Sequence, residues 1–149
     1  VVLAGSEMPN FQRFWNRFPH APVIKLGQLT EEAKRDFLAG IDALALPSMT
    51  DSFGLVILEA WANTKPVICY AAGGPAEIVR HQIDGWLVPP RDVELLASSL
   101  RECISSPAER NQRGLAGSRR IPLEFLWEEK LAIVSREMLT FDGPSQPRI

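Results

Sequence analysis

Cysteine and histidine are scarce, at two each in 149 residues. Cys69 and Cys103 are too far apart for a CxxC motif, and two thiols make no disulfide framework. A reducing, cytoplasmic setting is therefore expected, with Cys69 a buried, inert thiol inside the run Val67-Ile68-Cys69-Tyr70. His20 and His81 have no cysteine or carboxylate at ligand spacing, so no metal site is expected. An excess of one charge sign is missing too. Sixteen Lys and Arg against 18 Asp and Glu leave a formal net charge of -2, which argues against nucleic acid as a partner. No apolar run approaches the ~20 residues that span a bilayer, so neither a transmembrane segment nor a basic-then-apolar leader is expected. There is no internal repeat and no low-complexity tract. What remains is an ordinary globular composition, 46% hydrophobic and 23% charged, with the length of one domain.

Short apolar runs alternate with amphipathic stretches. Strands are expected at Val1 to Ala4, Val23 to Leu26, Ala43 to Leu46, Pro66 to Tyr70 and Gly85 to Val88. The first helix is expected over Asn10 to Arg17, where Phe11, Phe14, Trp15 and Phe18 mark a core-facing side. A second runs from Glu31 to Leu38 behind the N-cap Thr30, with two acids in its first turn. Further helices are expected from Gly54 to Ala62, from Pro75 to Arg80, and from Asp92 to Cys103 with Val93, Leu96 and Leu100 inward. Two more run from Pro107 to about Ala116 and from Glu124 to Leu139, before a frayed tail at 141–149. The alternation predicts an α/β fold, a Rossmann-like parallel sheet with helices on both faces, over residues 1–140. Ligands in such sheets sit beyond the carboxyl ends of the strands. The loops to inspect are therefore Gly5 to Asn10, Gly27 to Thr30, Pro47 to Phe53 and Ala71 to Gly74.

One stretch carries chemistry: Pro47-Ser48-Met49-Thr50-Asp51-Ser52-Phe53-Gly54-Leu55, followed by Val56-Ile57-Leu58-Glu59-Ala60. It follows a buried strand and opens an apolar helix. The amides of Phe53, Gly54 and Leu55 are expected to be unpaired there, and with the helix dipole they form an anion site suited to a diphosphate. Asp51 and Glu59 flank the helix start. A carboxylate in so apolar a run needs donors around it, and a vicinal diol supplies two. An anion site with two hydroxyl-binding carboxylates describes a nucleotide-sugar pocket, one acid for the ribose and one for the sugar. The plainer alternative stays open at this point. Asp51 or Ser52 can simply cap the helix, and Glu59 can sit at its edge in water. Gly73-Gly74 reads as a positive-φ turn that allows close packing rather than as a ligand contact. Glu77 reads as compensation for a helix dipole, and Arg119-Arg120 as a solvated surface pair.

The same stretch resembles the donor-binding motif of the family 4 glycosyltransferases, which have the two-domain GT-B fold. The likeness extends through Val1 to Gly5, Val23 to Gly27, Asp42 to Ser48, Phe53-Gly54-Leu55, Glu59-Ala60-Trp61-Ala62, Lys65 to Ile68, Gly73 to Val79, Asp84 to Val88 and Pro90-Arg91-Asp92. The family pattern has an acid, seven residues and a Glu, matched here by Asp51 and Glu59. The resemblance implies that Glu59 binds the ribose hydroxyls of the donor. It implies that Asp51 faces the sugar, and that the Phe53, Gly54 and Leu55 amides face sugar and diphosphate. Asp51 departs from the family's usual Glu and is one methylene shorter. Trp127 resembles the aromatic before the family's final helix, which packs back towards the other domain.

The resemblance implies the C-terminal, donor-binding half of a GT-B enzyme that moves a sugar from a nucleotide-diphosphate donor with retention and without a metal or other cofactor. Nothing aligns with the strand and basic loop that open that half in the family. The chain is therefore expected to lack its first, central strand and the N-terminal acceptor domain. It is then expected to be a fragment, or one product of a split enzyme, inactive alone and completed by the missing domain or a separate subunit. No catalytic residue is assigned within it. The alternative is a non-catalytic nucleotide-sugar-binding or subunit-interaction module. A GT-B-type sugar-nucleotide epimerase fits the acid, Phe-Gly and Glu-Ala series less well.

Overall fold

A computed structural model describes residues 1–17 and 22–140. His20, Phe18 and the expected tail at 141–149 lie outside the described residues. The chain divides into two compact units, Val1–Ile41 and Asp42–Ile149.

In the first unit, β1 (Val2–Ala4) pairs in parallel with β2 (Ile24–Gly27), Val2 opposite Ile24 and Leu3 opposite Lys25. Helix α1 (Phe11–Trp15) is shorter than its periodicity predicts, and none of its residues is buried. Phe14 is 58% exposed, so the expected core stripe does not form. Phe11 and Trp15 instead stack at 5.7 Å under the Lys25 ammonium, which also pairs with Glu7 at 3.0 Å. Helix α2 (Glu31–Gly40) starts as expected, the Ala33 amide donating to the Thr30 hydroxyl at 3.2 Å.

The second unit holds a three-stranded parallel sheet in the order β3 (Leu44–Leu46), β4 (Val67–Tyr70), β5 (Gly85–Val88). All four residues of β4 are buried. Successive side chains point to opposite faces, so both faces of this central strand are covered. The parallel strands thus fall into two sheets among the described residues, where the sequence reading expects one.

Helix α5 (Val93–Ser105) covers one face. Leu96, Leu100 and Cys103 pack on Ile68, Tyr70, Trp86 and Val88, and Asp92 caps the helix by accepting from Leu95 N at 2.9 Å. Val93, expected inward, opens the helix and is 67% exposed. Helix α6 (Pro107–Glu124) runs eight residues past its expected end near Ala116. Gly114 and Gly117 are poor helix formers, yet they are where α6 packs against its neighbours. A methyl on Gly114 would overlap the Thr64 carbonyl, and one on Gly117 would overlap the Trp61 ring. Tertiary contact here overrides propensity. Helix α7 (Trp127–Thr140) follows with Trp127, Leu131, Val134 and Met138 all exposed. No described helix is long and apolar enough to cross a membrane.

Candidate functional site

The loops after β3 and β4 meet beyond the carboxyl ends of those strands. Short local bonds shape the first loop: Thr50 N donates to Ser48 Oγ at 3.4 Å and Phe53 N to Asp51 Oδ1 at 3.2 Å. Asp51 therefore closes an Asx turn and does not cap the helix. The Phe53 amide, expected to be unpaired, is engaged by this carboxylate. Gly54 then takes φ 85° and ψ 48° at the N-cap of α3 (Leu55–Ala62), with no side chain capping the helix. Only glycine adopts that conformation without strain. A methyl there would also press on the Ile57 side-chain tip, 2.9 Å from its Cδ1, although that tip can shift. The Gly54 and Leu55 amides are left at the positive end of the helix, where no intrahelical carbonyl can reach them.

The second loop clamps the first. Gly74 N donates to the Asp51 carbonyl at 3.0 Å, and Gly73 has φ +56°. A methyl on Gly73 would overlap the Asp51 carbonyl, and one on Gly74 would overlap Phe53 Cα and Ser52 O. This is the close packing expected of Gly73-Gly74. Helix α4 (Gly73–Ile78) begins two residues before Pro75, because Gly73 already turns the chain. Glu77 consequently lies near the helix end and not in its first turn, so dipole compensation does not explain it.

Helix α3 buries Ile57, Ala60 and Trp61 as one stripe. Glu59 lies on the opposite side, half-buried, one turn beyond exposed Leu55. Glu59 thus shares one side of α3 with the Leu55 side chain, while the Gly54 and Leu55 amides lie at the amino end of the same helix. Beneath the site, burial pushes the Cys69 thiol up to about 12, with the charges of Asp51 and then Asp84 adding to it. That is the inert thiol expected at this position.

Sequence reasoning missed Arg120. Expected in solvent beside Arg119, it is only 8% exposed. Its Nη1 donates to Asp84 Oδ2 and, at 2.7 Å, to the Ile78 carbonyl that ends α4. Its Nε and Nη2 reach the Glu124 carboxylate at 3.0 and 2.7 Å. The guanidinium lies 5.3 Å from the Trp61 ring centre and 5.4 Å from that of Phe125. Trp61 Nε1 donates to the Asp84 carbonyl at 3.0 Å, and Phe125 meets Phe53 edge-on at 6.5 Å. Asp84 is fully buried, and these partners are what permit its charge there.

Parallel strands flanked by helices, with a glycine-opened helix N-terminus beyond a strand end, define a Rossmann-like α/β protein. The chain belongs to the group 1 glycosyl transferases, whose family model matches residues 2–120. It is 38% identical over 129 residues to an exopolysaccharide phosphotransferase of Streptomyces coelicolor, covering 78% of this chain and 13% of that protein. It is 35% identical over 124 residues to a glycogen synthase of Mycobacterium tuberculosis, covering 83% of this chain and 30% of the relative. The chain thus spans less than a third of the length of either protein. An Anabaena protein, HepE, solved in complex with UDP-glucose, superposes with a TM-score of 0.79 at 22% identity. That match covers 94% of this chain and 40% of HepE. The GT-B type of fold expected from the sequence is the type found.

Proposed function

We propose that this chain is the donor-binding, C-terminal part of a family 4 retaining glycosyltransferase that moves a hexose from a nucleotide-diphosphate sugar to an acceptor. The observation that carries the reading is the turn at Asp51–Leu55. It leaves backbone amides at the start of α3 and sets Glu59 on the same side of that helix as Leu55. The amides face the diphosphate and stabilise the charge that grows on it as the sugar leaves, without a metal. Glu59 accepts from the ribose hydroxyls. The Asp51 carboxylate, already holding Phe53 N, orients the turn and presents its remaining acceptor capacity to the sugar. The glycogen synthase relative and the UDP-glucose complex of HepE support a hexosyl donor. Acceptor contacts come from an N-terminal domain or a separate subunit, and the reaction takes place in the cytoplasm. The 149-residue chain binds the donor weakly alone and transfers nothing.

Calorimetric titration of UDP-, GDP- and ADP-sugars against the chain and its Glu59→Ala variant tests the reading. Losing hydrogen bonds to a charged acceptor costs about 1.5–3 kcal/mol, so roughly a tenfold to hundredfold weaker affinity is expected. Equal binding by both proteins removes Glu59 from the site. Sugar transfer by the chain alone contradicts the division of labour.

A further inference from the structure

We propose that Arg120 is the positioning residue of the donor turn, an inference that rests on the donor-site reading above. The turn is held from two directions, and both supports end on this guanidinium. From one direction α4 grips it, through Gly74 N on the Asp51 carbonyl and the contact of Gly74 with Ser52 and Phe53. The far end of that six-residue helix is fastened by Arg120 Nη1 on the Ile78 carbonyl. From the other direction α3 carries Gly54, Leu55 and Glu59. Its Trp61 is fixed by the Asp84 carbonyl, and the Asp84 carboxylate is in turn held by Arg120. Phe125 bridges the two, with its ring against Trp61 at 6.2 Å, against Phe53 at 6.5 Å and beside the guanidinium. Glu124, bound through two nitrogens, fixes the plane of the guanidinium.

Lysine cannot reproduce this. Its ammonium is a point charge with no planar fork, and it cannot serve Ile78 O, Asp84 and Glu124 together in these directions. Arg120→Lys therefore keeps the charge and releases the turn.

Arg113 is the internal control. It is on the same helix, equally buried, stacked 3.9 Å from the Trp86 ring centre and paired with Glu102 and Glu109. None of those partners touches the donor turn. Native-state hydrogen exchange is measured on the wild type, Arg120→Lys and Arg113→Lys. Arg120→Lys should speed exchange roughly tenfold at the Phe53, Ile57 and Gly74 amides, which donate to Asp51 Oδ1, the Gly54 carbonyl and the Asp51 carbonyl, while β4 keeps its protection. Arg113→Lys should leave those amides unchanged. Phe125→Leu, which keeps every ion pair, should loosen the Phe53 and Ile57 amides in the same way and serves if Arg120→Lys does not fold. Equal loosening in the Arg120 and Arg113 variants, uniform loosening across the unit, or no change at the turn overturns the proposal. Exchange needs no ligand. Failure of the wild type to bind any UDP-, GDP- or ADP-sugar therefore counts against the donor reading, while the exchange result judges Arg120 on its own.

Discussion

A methyl group on Gly74 has nowhere to go, because the Ser52 carbonyl and Phe53 Cα occupy its place and both are backbone. Backbone yields less readily than a side-chain tip, so Gly74→Ala must displace the Asp51–Phe53 turn or α4 itself. Overpacking of this kind costs about 1–3 kcal/mol. A urea midpoint lowered accordingly is the expected outcome, and an unchanged midpoint would show that the clamp is slack. Cys69 gives a second test at this scale. Its thiol is buried and pushed up to about 12, first by burial and then by Asp51 and Asp84. Cys103 is buried too, and burial raises it as well. At neutral pH both thiols are protonated and out of reach. An aromatic disulfide reagent should therefore react only as fast as the unit opens, and should label both in denaturant. Rapid labelling of Cys69 in the native protein would contradict the packing beneath the site.

At the scale of elements, the contact between α3 and α6 decides what could be read in the sequence. Strand runs, the cap Thr30 and the glycine opening α3 were legible because each is a local signal, an apolar run or a residue suited to one backbone geometry, whereas Asp92, expected inside its helix, is the cap. The inward side of α6 was not. It consists of Arg113, Gly114, Gly117 and Arg120, which hydropathy scores as a solvated face and propensity scores as a helix end. The missed signal was spacing. Those residues recur at i, i+1, i+4 and i+7, a helical stripe made of glycines that admit Trp61 and arginines that lie on Trp61 and Trp86. Within the candidate site, the positive-φ start at Gly54 and the place of Glu59 on an apolar helix were legible for the same local reasons. The Asp51 bond to Phe53 N was not, because an acid before a helix fits a cap as well as an Asx turn. The stripe also has a pH consequence. Hydrogen bonding to Arg120 holds the Glu124 carboxyl below the usual carboxylate range, assisted by the charges of Arg120 and Arg80 and opposed by burial. A carboxyl lowered on folding stabilises above its unfolded pKa of about 4.3, and that contribution is lost as pH falls through the folded value. Urea midpoints for the wild type should drop more steeply below pH ~4.3 than those of Glu124→Gln, and parallel curves would assign the acid sensitivity elsewhere.

At the scale of the molecule, the two compact units differ in what holds them together. Among the described residues of Val1–Ile41 only Leu38 is a buried apolar side chain, and the unit's sheet has just two short strands. Val2, Leu3, Ile24 and Leu26 along those strands are exposed. A two-stranded sheet with little buried surface is marginal in water, because ordering the backbone costs about 1–2 kcal/mol per residue against little apolar burial. Asp42–Ile149 contains Trp61, Trp86 and the fully buried run Val67-Ile68-Cys69, and so carries most of the hydrophobic stabilisation. The units should therefore open separately. Exchange at the Gly5 amide, bonded to the Gly27 carbonyl, and at the Ile24 amide, bonded to the Val1 carbonyl, should proceed through local opening. The free energy of that opening should be a few kcal/mol below that governing β4, and nearly independent of low urea. Exchange at Ile68 and Tyr70 should follow global unfolding of the second unit and accelerate with urea in proportion to the surface exposed. A single opening free energy and a single urea slope at all four positions would mean that the chain unfolds as one cooperative block, with β1 and β2 drawing their stability from the second unit's core.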